Sequence, residues 1–393
     1  MQIHVHSQIS QINSEQWNHL VTDNNPFMRH EFLHALEEHE CASPKFGWHP
    51  MHIGIYQDED QKELIAAVPL YAKTNSYGEF VFDHAWSDAY ERNQLEYFPK
   101  LVSSIPYTPA SGQRLLCEES KREELYPILL ETIQQFCQEQ KYSSFHCLFA
   151  NSDEQDWLEK QGLMTRYDCQ FHWHNQDYTC FEDFLEKLDK KKRKNVRQER
   201  RRVEQQDVNI RVLDGHSATD KDWQDFARFY QITFMEKYGT ATLNEAFFKD
   251  VGEKLADQVV LVLADTISTE NDEARCIAGS LMYRSDSTLY GRHWGCSEQV
   301  DKLHFEACYY QGIEFCIANK IQHFEPGAQG QHKMARGFVP TLTRSSHWMN
   351  NSPFQESLEN FVNYERNNIK AYMKSLKSPY KSEQANNTNE TDK

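Results

Sequence analysis

The densest group of side chains able to do acid–base chemistry lies between Tyr290 and Arg336. Within it, Glu306 and Tyr310 stand four residues apart, a spacing that places them on one face of a helix. His304 stands near the expected start of that helix, where unpaired backbone N–H groups and the helix dipole favour anions. Glu306 or His304 is therefore a candidate general base toward an attacking amine, and Tyr310 a candidate proton donor to a leaving oxygen.

The carboxylate of Glu306 also has a structural interpretation. It could form an ion pair with Arg292 or Arg336 that braces a sheet, because buried ion pairs bring the same residue types together. The sequence leaves both interpretations open.

A glycine-containing turn follows the predicted helix. The segment from Glu325 to Gly330 is typical of a strand end and a flexible turn, and ligands of α/β sheets usually bind at such strand ends. We expect this turn to bind a carboxylate or a phosphate, although an ordinary turn would have the same sequence. The predicted contacts are Glu325, Gln331, His332, Lys333 and Arg336.

A second candidate binding region lies in the first half of the chain. The loop from Ile105 to Arg114 is interrupted by proline, and a predicted strand ends nearby. Loops held by a rigid sheet often carry substrate contacts, so we expect exposed side chains here to bind, the alternative being a simple change of chain direction. These predicted contacts are Tyr107, Thr108, Arg114, Asp83 and His84.

Other familiar chemistries lack their motifs. The chain contains no Walker loop, no G-x-G-x-x-G fingerprint and no G-x-S-x-G elbow. No P-C-x-x-C follows His304-x-Glu306, and His172-x-His174 has no third ligand nearby in sequence. We therefore expect no metal site.

Positive charge is concentrated in one segment of an acidic chain. Residues Lys190 to Arg202 contain nine bases and one acid, a local charge of +8 that leaves −25 for the rest of a chain of net charge −17. Such a stripe could hold tRNA through its phosphates. An exposed helix face would look the same without a partner, and the acidic remainder argues against an extended RNA footprint.

Helices and short strands alternate along the chain, which indicates α/β sheets with helices on their faces. FVFDHAW is predicted to be a strand and Tyr97 to Ser104 a helix. From Phe181 the pattern restarts with one long basic helix to about residue 205. A C-terminal helix from Phe354 to Leu376 is expected to pack on the second half, before a disordered polar tail.

The length of 393 residues suits two domains, which we place at 1–175 and 176–376, with the basic helix at 181–205 and the tail at 377–393. No apolar run reaches the roughly 18 residues that a membrane span needs, and the first residues lack the features of a signal peptide. Ten scattered cysteines without a C-x-x-C pair favour a reduced, cytoplasmic protein.

Four segments carry a resemblance to a known family: NPFMRHEFLHALEEH, PYTPASGQR, LHFEACYYQGIEFCI and FEPGAQGQHKMARGF. From Asn25 to about Trp348 the chain resembles uncharacterised bacterial FemAB-like proteins of the GNAT superfamily, which are expected to be N-acyltransferases and are often labelled peptidoglycan biosynthesis proteins. The resemblance implies two tandem GNAT-like α/β domains with mixed sheets flanked by helices. It also implies an amine acceptor and an activated donor, either acyl-CoA as in most GNATs or aminoacyl-tRNA as in Fem enzymes.

One motif of the GNAT superfamily bears on the donor. GNATs hold the CoA pyrophosphate with an R-x-x-G-x-G/A turn, and the matching place here reads Arg292-His293-Trp-Gly295-Cys-Ser297. Ser297 replaces the last small residue, and the acidic Glu298 follows. The departure weakens the case for CoA, while Arg292 and His293 remain predicted substrate contacts.

Two functions are compatible with these observations. The first is an N-acyltransferase that moves an acyl or aminoacyl group to an amine, in cell-wall precursor metabolism. The second is a non-catalytic module that binds an acyl carrier, a cell-wall precursor or RNA. The fold alone cannot choose the acceptor, because one fold serves many substrates.

Overall fold

The computed structural model describes residues 1–58, 63–267, 273–328 and 330–381, and the chain forms two compact units. The first unit comprises Met1–Asp168 and Leu342–Ala371, and the second comprises Cys169–Thr341 and the described residues from Tyr372 onward. The helix predicted over 354–376 was expected on the second half, yet most of it, through Ala371, belongs to the first unit. The first unit is therefore built from two separate stretches of sequence.

The described residues of the first stretch form short strands and five α-helices. The strands are β1 (Gln2–His6), β2 (Trp48–Pro50), β3 (His52–Tyr56), β4 (Leu64–Val68), β5 (Tyr71–Lys73), β6 (Lys100–Ser103), β7 (Leu116–Cys117) and β8 (Ser144–Leu148). The helices are α1 (Ser14–His19), α2 (His30–Glu38), α3 (His84–Arg92), α4 (Arg122–Glu139) and α5 (Ser152–Lys160). Strand β9 (Met164–His174) leads from the first unit into the second.

The second unit begins with helices and continues through a meander of strands. Its helices are α6 (Phe181–Lys187), α7 (Lys190–Glu204), α8 (Asp220–Tyr238), α9 (Glu245–Lys254), α10 (Leu303–Phe305) and α11 (Gln311–Ala318). Its strands are β10 (Val208–Leu213), β11 (Val259–Thr266), β12 (Cys276–Arg284), β13 (Thr288–Cys296) and β14 (His323–Glu325). Strand β15 (Val339–Met349) then leads back to the first unit, where α12 (Gln355–Ser375) begins.

Each unit has a sheet whose strand order departs from sequence order. In the first unit, β1-β3-β4-β7 form one sheet and β2-β5-β6-β8-β15 are consecutive in another, with β6 and β8 parallel. In the second unit, the order is β10-β11-β12-β13-β14-β9. Among the described residues, neighbouring strands there pair antiparallel except β13 with β14, which are parallel. The mixed sheets match the fold class that the sequence predicts.

Two local predictions in the first unit are wrong. FVFDHAW, expected to be a strand, is a loop that leads into α3, which begins at His84. The segment from Tyr97 to Ser104, expected to be a helix, contains β6, whose four residues are all buried between β5 and β8. An apolar run this short has no periodicity that separates a strand from a helix.

The single long helix predicted from Phe181 is divided in two. Leu188 has extended backbone angles, φ −71° and ψ 154°, so α6 ends there and α7 begins two residues later. The helix predicted from His304 is also interrupted, since Glu306–Tyr310 form a π-helical turn between α10 and α11. Such turns are rare and often occur at functional sites.

Large apolar side chains fill the second unit behind these helices. Trp173, Phe184, Tyr310, Ile313 and Phe324 are all essentially inaccessible to solvent. The stripe predicted at helical spacing from Phe305 to Cys316 packs into this cluster, so that prediction is confirmed.

The C-terminal segment is held farther than expected. The tail was predicted to be disordered from residue 377, yet Tyr380 forms a bridge with Leu188 and its hydroxyl donates to the Gly337 carbonyl at 2.7 Å. The rest of the predicted tail, 382–393, lies outside the described residues. Among the helices that the structure describes, none is both long and apolar enough to cross a membrane.

Candidate functional site

The parallel strands β13 and β14 of the second unit pair over only three residues and then separate. β13 and β14 pair from Thr288 with His323 to Tyr290 with Glu325, whereas β13 continues to Cys296. Pro326 follows β14 directly and cannot continue the ladder, because proline has no N–H. Arg292, Trp294, Gly327 and Lys333 mark the place beyond the last pair, which we call the strand opening.

A bulge in β13 turns Arg292 relative to its neighbours. Leu281 pairs with His293 and Met282 with Gly291, so Arg292 is the extra residue opposite β12. Burial lowers the pKa of the Arg292 guanidinium to about 10, although nearby Tyr283 and Glu325 favour its charge. A bulge re-aims a side chain in this way at many active sites.

Imidazole and phenol rings gather around the strand opening. The His304 ring lies 5.3 Å from the Trp294 ring and 5.4 Å from the Tyr309 ring, measured between centroids. The Tyr309 hydroxyl is 3.0 Å from Nε2 of His332. Burial, aided by His332 and Arg336, lowers the pKa of His304 to about 4, so His304 is neutral at pH 7 and can accept a proton.

Lys333 supplies a buried cation beside these rings. Its Nζ donates to the carbonyls of Gly327 at 2.6 Å and Ala328 at 3.3 Å. Burial lowers the pKa of Lys333 to about 8, with Arg292 adding to the effect. At pH 7 the ammonium therefore persists, close to its titration point.

Glu306 and Tyr310 face the basic helix rather than the strand opening. Arg200 of α7 holds both oxygens of Glu306, at 2.9 and 3.1 Å, and also pairs with Glu314 at 2.7 Å. Gln311 donates to the same Glu306 carboxylate at 2.7 Å. The geometry favours the ion-pair interpretation of Glu306, with Arg200 in place of the expected Arg292 or Arg336.

A second pair joins the same two elements. The Tyr310 hydroxyl donates to Glu199, and Arg336 pairs with Glu199 at 2.7 Å. Burial and the Glu199 carboxylate raise the pKa of Tyr310 well above its ordinary value, so its proton is held firmly. Arg336 also lies 3.4 Å above the Phe305 ring, and one of its N–H groups donates to the His332 carbonyl.

The remaining predicted residues of the second unit occupy three environments. Glu325 is partly buried, 4.0 Å from Nδ1 of His172. Gln331 is exposed at the start of the short helical turn Gln331–Arg336. His293 packs against Tyr230, with ring centroids 5.1 Å apart, and burial lowers its pKa well below the ordinary value.

The expected pyrophosphate turn is a strand. Residues Arg292 to Cys296 belong to β13, and Gly295 lies against α8, where an added Cβ would meet the Phe229 carbonyl at 2.3 Å. Gly295 is thus required by strand–helix packing, which removes the main reason to assign it to a phosphate.

Three residues of the loop from Ile105 to Arg114 that were predicted to be exposed are buried, so that prediction is wrong. Tyr107 donates to the Cys41 carbonyl at 2.8 Å, and Thr108 to the Pro106 carbonyl at 3.1 Å. Arg114, 1% exposed, donates to the carbonyls of Leu148, Gln113 and Ala110. Proline in a loop favours a surface position, but here the side chains of the loop donate to buried carbonyls.

Asp83 and His84 are adjacent in sequence but differ in burial, since Asp83 is buried and His84 is exposed. Asp83 is buried beside Lys100 and accepts a hydrogen bond from Tyr97 at 2.5 Å, and Lys100 also pairs with Glu79 at 2.8 Å. His84 is exposed at the start of α3. Asp83 precedes that helix instead of ending a strand.

The sequence does not mark Tyr309, Glu199 or Arg200 as site residues. Tyr309 was expected only as part of a buried stripe, and the two α7 residues only as part of a charged surface. Within the described ranges, no group of three or more His, Cys, Asp or Glu side chains is placed to hold a metal ion. Nδ1 of His323 lies 3.0 Å from Nδ1 of His174, a contact that the sequence does not indicate.

The chain is similar to one family model and to solved structures. The FemAB-like family model, described as peptidoglycan biosynthesis/recognition, matches residues 8–382. The crystal structure of FemX superposes with a TM-score of 0.53 and 12% identity, covering 91% of this chain and 100% of that one. The C-terminal domain of a putative lysylphosphatidylglycerol synthetase from Agrobacterium fabrum gives a TM-score of 0.53 and 8% identity, covering 91% and 96%.

At these identities the structural likeness shows the fold alone. The prediction of two tandem GNAT-like α/β units is confirmed, and so is the resemblance to FemAB-like proteins. No curated protein sequence matches the chain.

Proposed function

Because the chain belongs to the FemAB-like family, described as peptidoglycan biosynthesis/recognition, we propose that it transfers an acyl or aminoacyl group from an activated donor to an amine. The observation that carries this proposal is the strand opening, where β13 and β14 cease to pair and a neutral imidazole, a phenol and a buried ammonium converge. Acyl transfer to an amine needs a proton acceptor and a cation or donor for the developing oxyanion.

The proposed step uses three side chains in separate roles. The amine nitrogen attacks the donor carbonyl and a C–N bond forms, while His304 accepts the amine proton. Lys333 stabilises the negative charge on the carbonyl oxygen. The bond from the carbonyl carbon to the donor's ester oxygen or thioester sulfur breaks, and Tyr309, hydrogen-bonded to His332, donates a proton to that leaving atom.

Glu306 and Tyr310 have a positioning role in this proposal. Their hydrogen bonds to Arg200 and Glu199 fix the π-helical turn that carries Tyr309. Both are catalytic candidates by residue type and spacing, but an ion-paired brace accounts better for their contacts.

We favour aminoacyl-tRNA over acyl-CoA as the donor. Five cations of α7 have no side-chain partner among the described residues: Lys190, Lys191, Arg193, Lys194 and Arg201. The other four bases pair with acids of this unit, so about half of the stripe remains for phosphates. The place expected to hold the CoA pyrophosphate is strand β13.

The proposed acceptor is an amine of a cell-wall precursor, as the family description suggests. The test is a transfer assay in which purified protein receives labelled aminoacyl-tRNA or labelled acetyl-CoA together with a precursor peptide that bears a free amine. Label should move to the peptide from the tRNA donor, and the His304→Gln protein should lose most of this transfer. Saturable donor binding without transfer would instead favour the non-catalytic binding module.

A further inference from the structure

A short C-terminal segment is held against two elements of the second unit. Residues 378–381, which we call the strap, follow α12 and belong to that unit. Tyr380 is the only aromatic residue in the polar sequence from 377 to 393. Polar segments at the end of a chain lack the apolar surface that would order them, so the contacts of this single ring need an explanation.

The backbone of the strap lies along the break between α6 and α7. Tyr380 forms an antiparallel bridge with Leu188, whose extended backbone ends α6. Two backbone hydrogen bonds of 3.1 Å flank the bridge, from the N–H of Asp189 to the Pro379 carbonyl and from the N–H of Lys381 to the Lys187 carbonyl. These bonds satisfy backbone groups that the interruption between two helices leaves open.

The Tyr380 side chain reaches a second element, the helical turn Gln331–Arg336. Its hydroxyl donates to the Gly337 carbonyl at 2.7 Å. The N–H of the same peptide group, contributed by Phe338, donates to the Lys333 carbonyl at 3.4 Å. One peptide group therefore connects the Tyr380 hydroxyl to the backbone of Lys333, and the hydroxyl fixes the orientation of that peptide.

Close packing restricts Gly337 to this position. Its φ is 93°, in the region that favours glycine, and an added Cβ would lie 2.6 Å from the Phe184 ring. Tyr380 is 9% exposed and belongs to the same core cluster as Phe184, Leu188 and Phe338. Burial raises the pKa of Tyr380 well above its ordinary value, so the hydroxyl remains a donor. Loss of this buried hydrogen bond would therefore disturb the end of the turn.

Lys333 depends on the backbone that the turn provides. Its Nζ reaches the carbonyls of Gly327 and Ala328 only from this position. In the proposed step its ammonium faces the carbonyl oxygen of the donor, and a displacement of about 1 Å in a catalytic group can cost about 10²-fold in rate. Burial is also the main reason that the pKa of Lys333 is lowered to about 8. Both the rate and this pKa thus report on the turn.

The charges around Lys333 do not include the strap. The ionisable groups that interact with its ammonium lie on β9, β13, α10, the π-helical turn and its own turn. They are His172, Arg292, His304, Cys308 and His332. Replacing Tyr380 by phenylalanine leaves all five in place, so a change in the titration of Lys333 would come from a change in its position or burial.

We propose that Tyr380 is a positioning residue for acyl transfer, which holds the turn bearing His332 and Lys333 against the break between α6 and α7. The inference rests on the proposed function, because Lys333 affects turnover only if it stabilises the oxyanion. Lys192 of α7 donates to the Ser378 carbonyl at 3.2 Å, so the strap also holds the start of the basic helix. One short segment therefore connects the helix proposed to bind the donor with the turn proposed to act on it.

The first test compares Tyr380→Phe with the parent protein in single-turnover transfer from labelled aminoacyl-tRNA to the precursor peptide. The substitution keeps the ring and removes only the hydroxyl. The maximal rate should fall about tenfold, because a displaced ammonium stabilises the oxyanion less well. The tRNA concentration that gives the half-maximal rate should change less than about twofold, because the exposed cations of α7 are unaltered. The midpoint of the decline in transfer with pH should rise by about 0.5 or more, because a looser turn lets water reach the ammonium.

Tyr126→Phe on α4 is the matched control. Tyr126 is 3% exposed, and its hydroxyl donates to Glu154 at 3.3 Å within the first unit. Its loss should lower the stability of the protein but leave the rate and the pH midpoint of transfer unchanged. The comparison separates the loss of any buried tyrosine hydroxyl from the loss of the one at Gly337.

A second measurement does not require transfer. The free energy of unfolding in urea should rise between pH 7 and pH 9 in the parent, because native Lys333 releases its proton near pH 8 and the unfolded chain retains it. The rise should be smaller in Tyr380→Phe and unchanged in Tyr126→Phe. Each variant removes one buried tyrosine, so the ionisation of tyrosine in the unfolded chain affects both alike.

Two results would overturn the proposal. One is a rate and a pH midpoint of transfer that are the same in Tyr380→Phe as in Tyr126→Phe. The other is an equal rise in the free energy of unfolding in all three proteins, because Tyr380 would then not hold Lys333. Absence of transfer from either donor in the parent would count against the proposed function, and the urea comparison would still decide whether Tyr380 holds the turn.

Discussion

Arg200 holds both carboxylate oxygens of Glu306, at 2.9 and 3.1 Å, across the contact between α7 and the π-helical turn. A bidentate pair of this kind fixes orientation as well as distance. The most basic segment of the chain thus has an internal face that positions the turn bearing Tyr309, in addition to its exposed cations.

Glu306→Gln should destabilise the protein while retaining most of its transfer activity. The free energy of unfolding should fall by about 2 kcal/mol, because Arg200 loses one of its two acidic partners but keeps Glu314. Urea unfolding and a transfer assay measure the two effects. Glu314→Gln, at the more exposed partner, is the control and should cost less. A loss of turnover with unchanged stability would return Glu306 to a catalytic role.

His304→Gln should reduce turnover by about 10² to 10⁴, the usual worth of a positioned general base. The neutral ring at the strand opening accepts the amine proton in our proposal, and glutamine cannot replace it. Single-turnover kinetics would report the chemical step. His216→Gln, at an exposed histidine of the same unit, is the matched control. Equal rates for the two variants would remove His304 from the mechanism.

Transfer should decline as the pH rises through about 8. Burial sets the pKa of Lys333 near that value, and the ammonium that stabilises the oxyanion is lost above it. Deprotonation of the acceptor amine affects every variant alike, so comparison with Lys333→Arg isolates the lysine. The arginine variant should lack the decline. A decline of the same midpoint in both proteins would contradict the assigned role.

The stability of the protein should increase as the pH rises above about 8, whereas transfer declines. The unfolded chain keeps the Lys333 proton up to about pH 10.4, whereas the native state releases it near 8. The unfolded state therefore binds more protons between these values, and the free energy of unfolding rises with pH across that window. Lys333→Met should flatten this rise in urea titrations at pH 7 to 10. An unchanged slope would show that Lys333 titrates normally.

Replacing Lys190, Lys191 and Lys194 with Gln should weaken tRNA binding and lower its salt dependence. Each phosphate contact contributes about 0.7 to 0.9 to the slope of log K against log salt concentration, so the slope should fall by about 2 to 3. Filter binding at several salt concentrations measures it. The control removes equal charge from the first unit, at Lys45, Lys141 and Lys160. Equal effects of the two triple variants would indicate that net charge, not α7, governs binding.

Periodicity and composition were sufficient for much of the fold. The alternation of helices and strands indicated two α/β units, and the helical spacing of Tyr309, Gly312, Ile313 and Cys316 indicated a buried face. These features depend on residues close to one another in sequence, so a short window of sequence is enough to predict them. The motif resemblance to FemAB-like proteins was also sufficient to predict the family.

The sequence also points to residues near the strand opening, but not to the partners of Glu306 and Tyr310. His304, His332 and Lys333 were named from sequence, and the structure gathers them near the strand opening. Their convergence depends on where β14 stops pairing with β13, which Pro326 indicates only once the pairing is known.

Tertiary structure alone decided which charges are internal. Glu306 lies 106 positions from Arg200, and Arg336 lies 137 from Glu199, so no local pattern indicates either pair. Arg114 shows the same limit, since a polar residue in a proline-containing loop looks exposed until buried carbonyls are placed around it. Sequence determines which residues can pair, whereas burial and long-range packing select the pairs that form, because desolvation makes an unpaired buried charge costly.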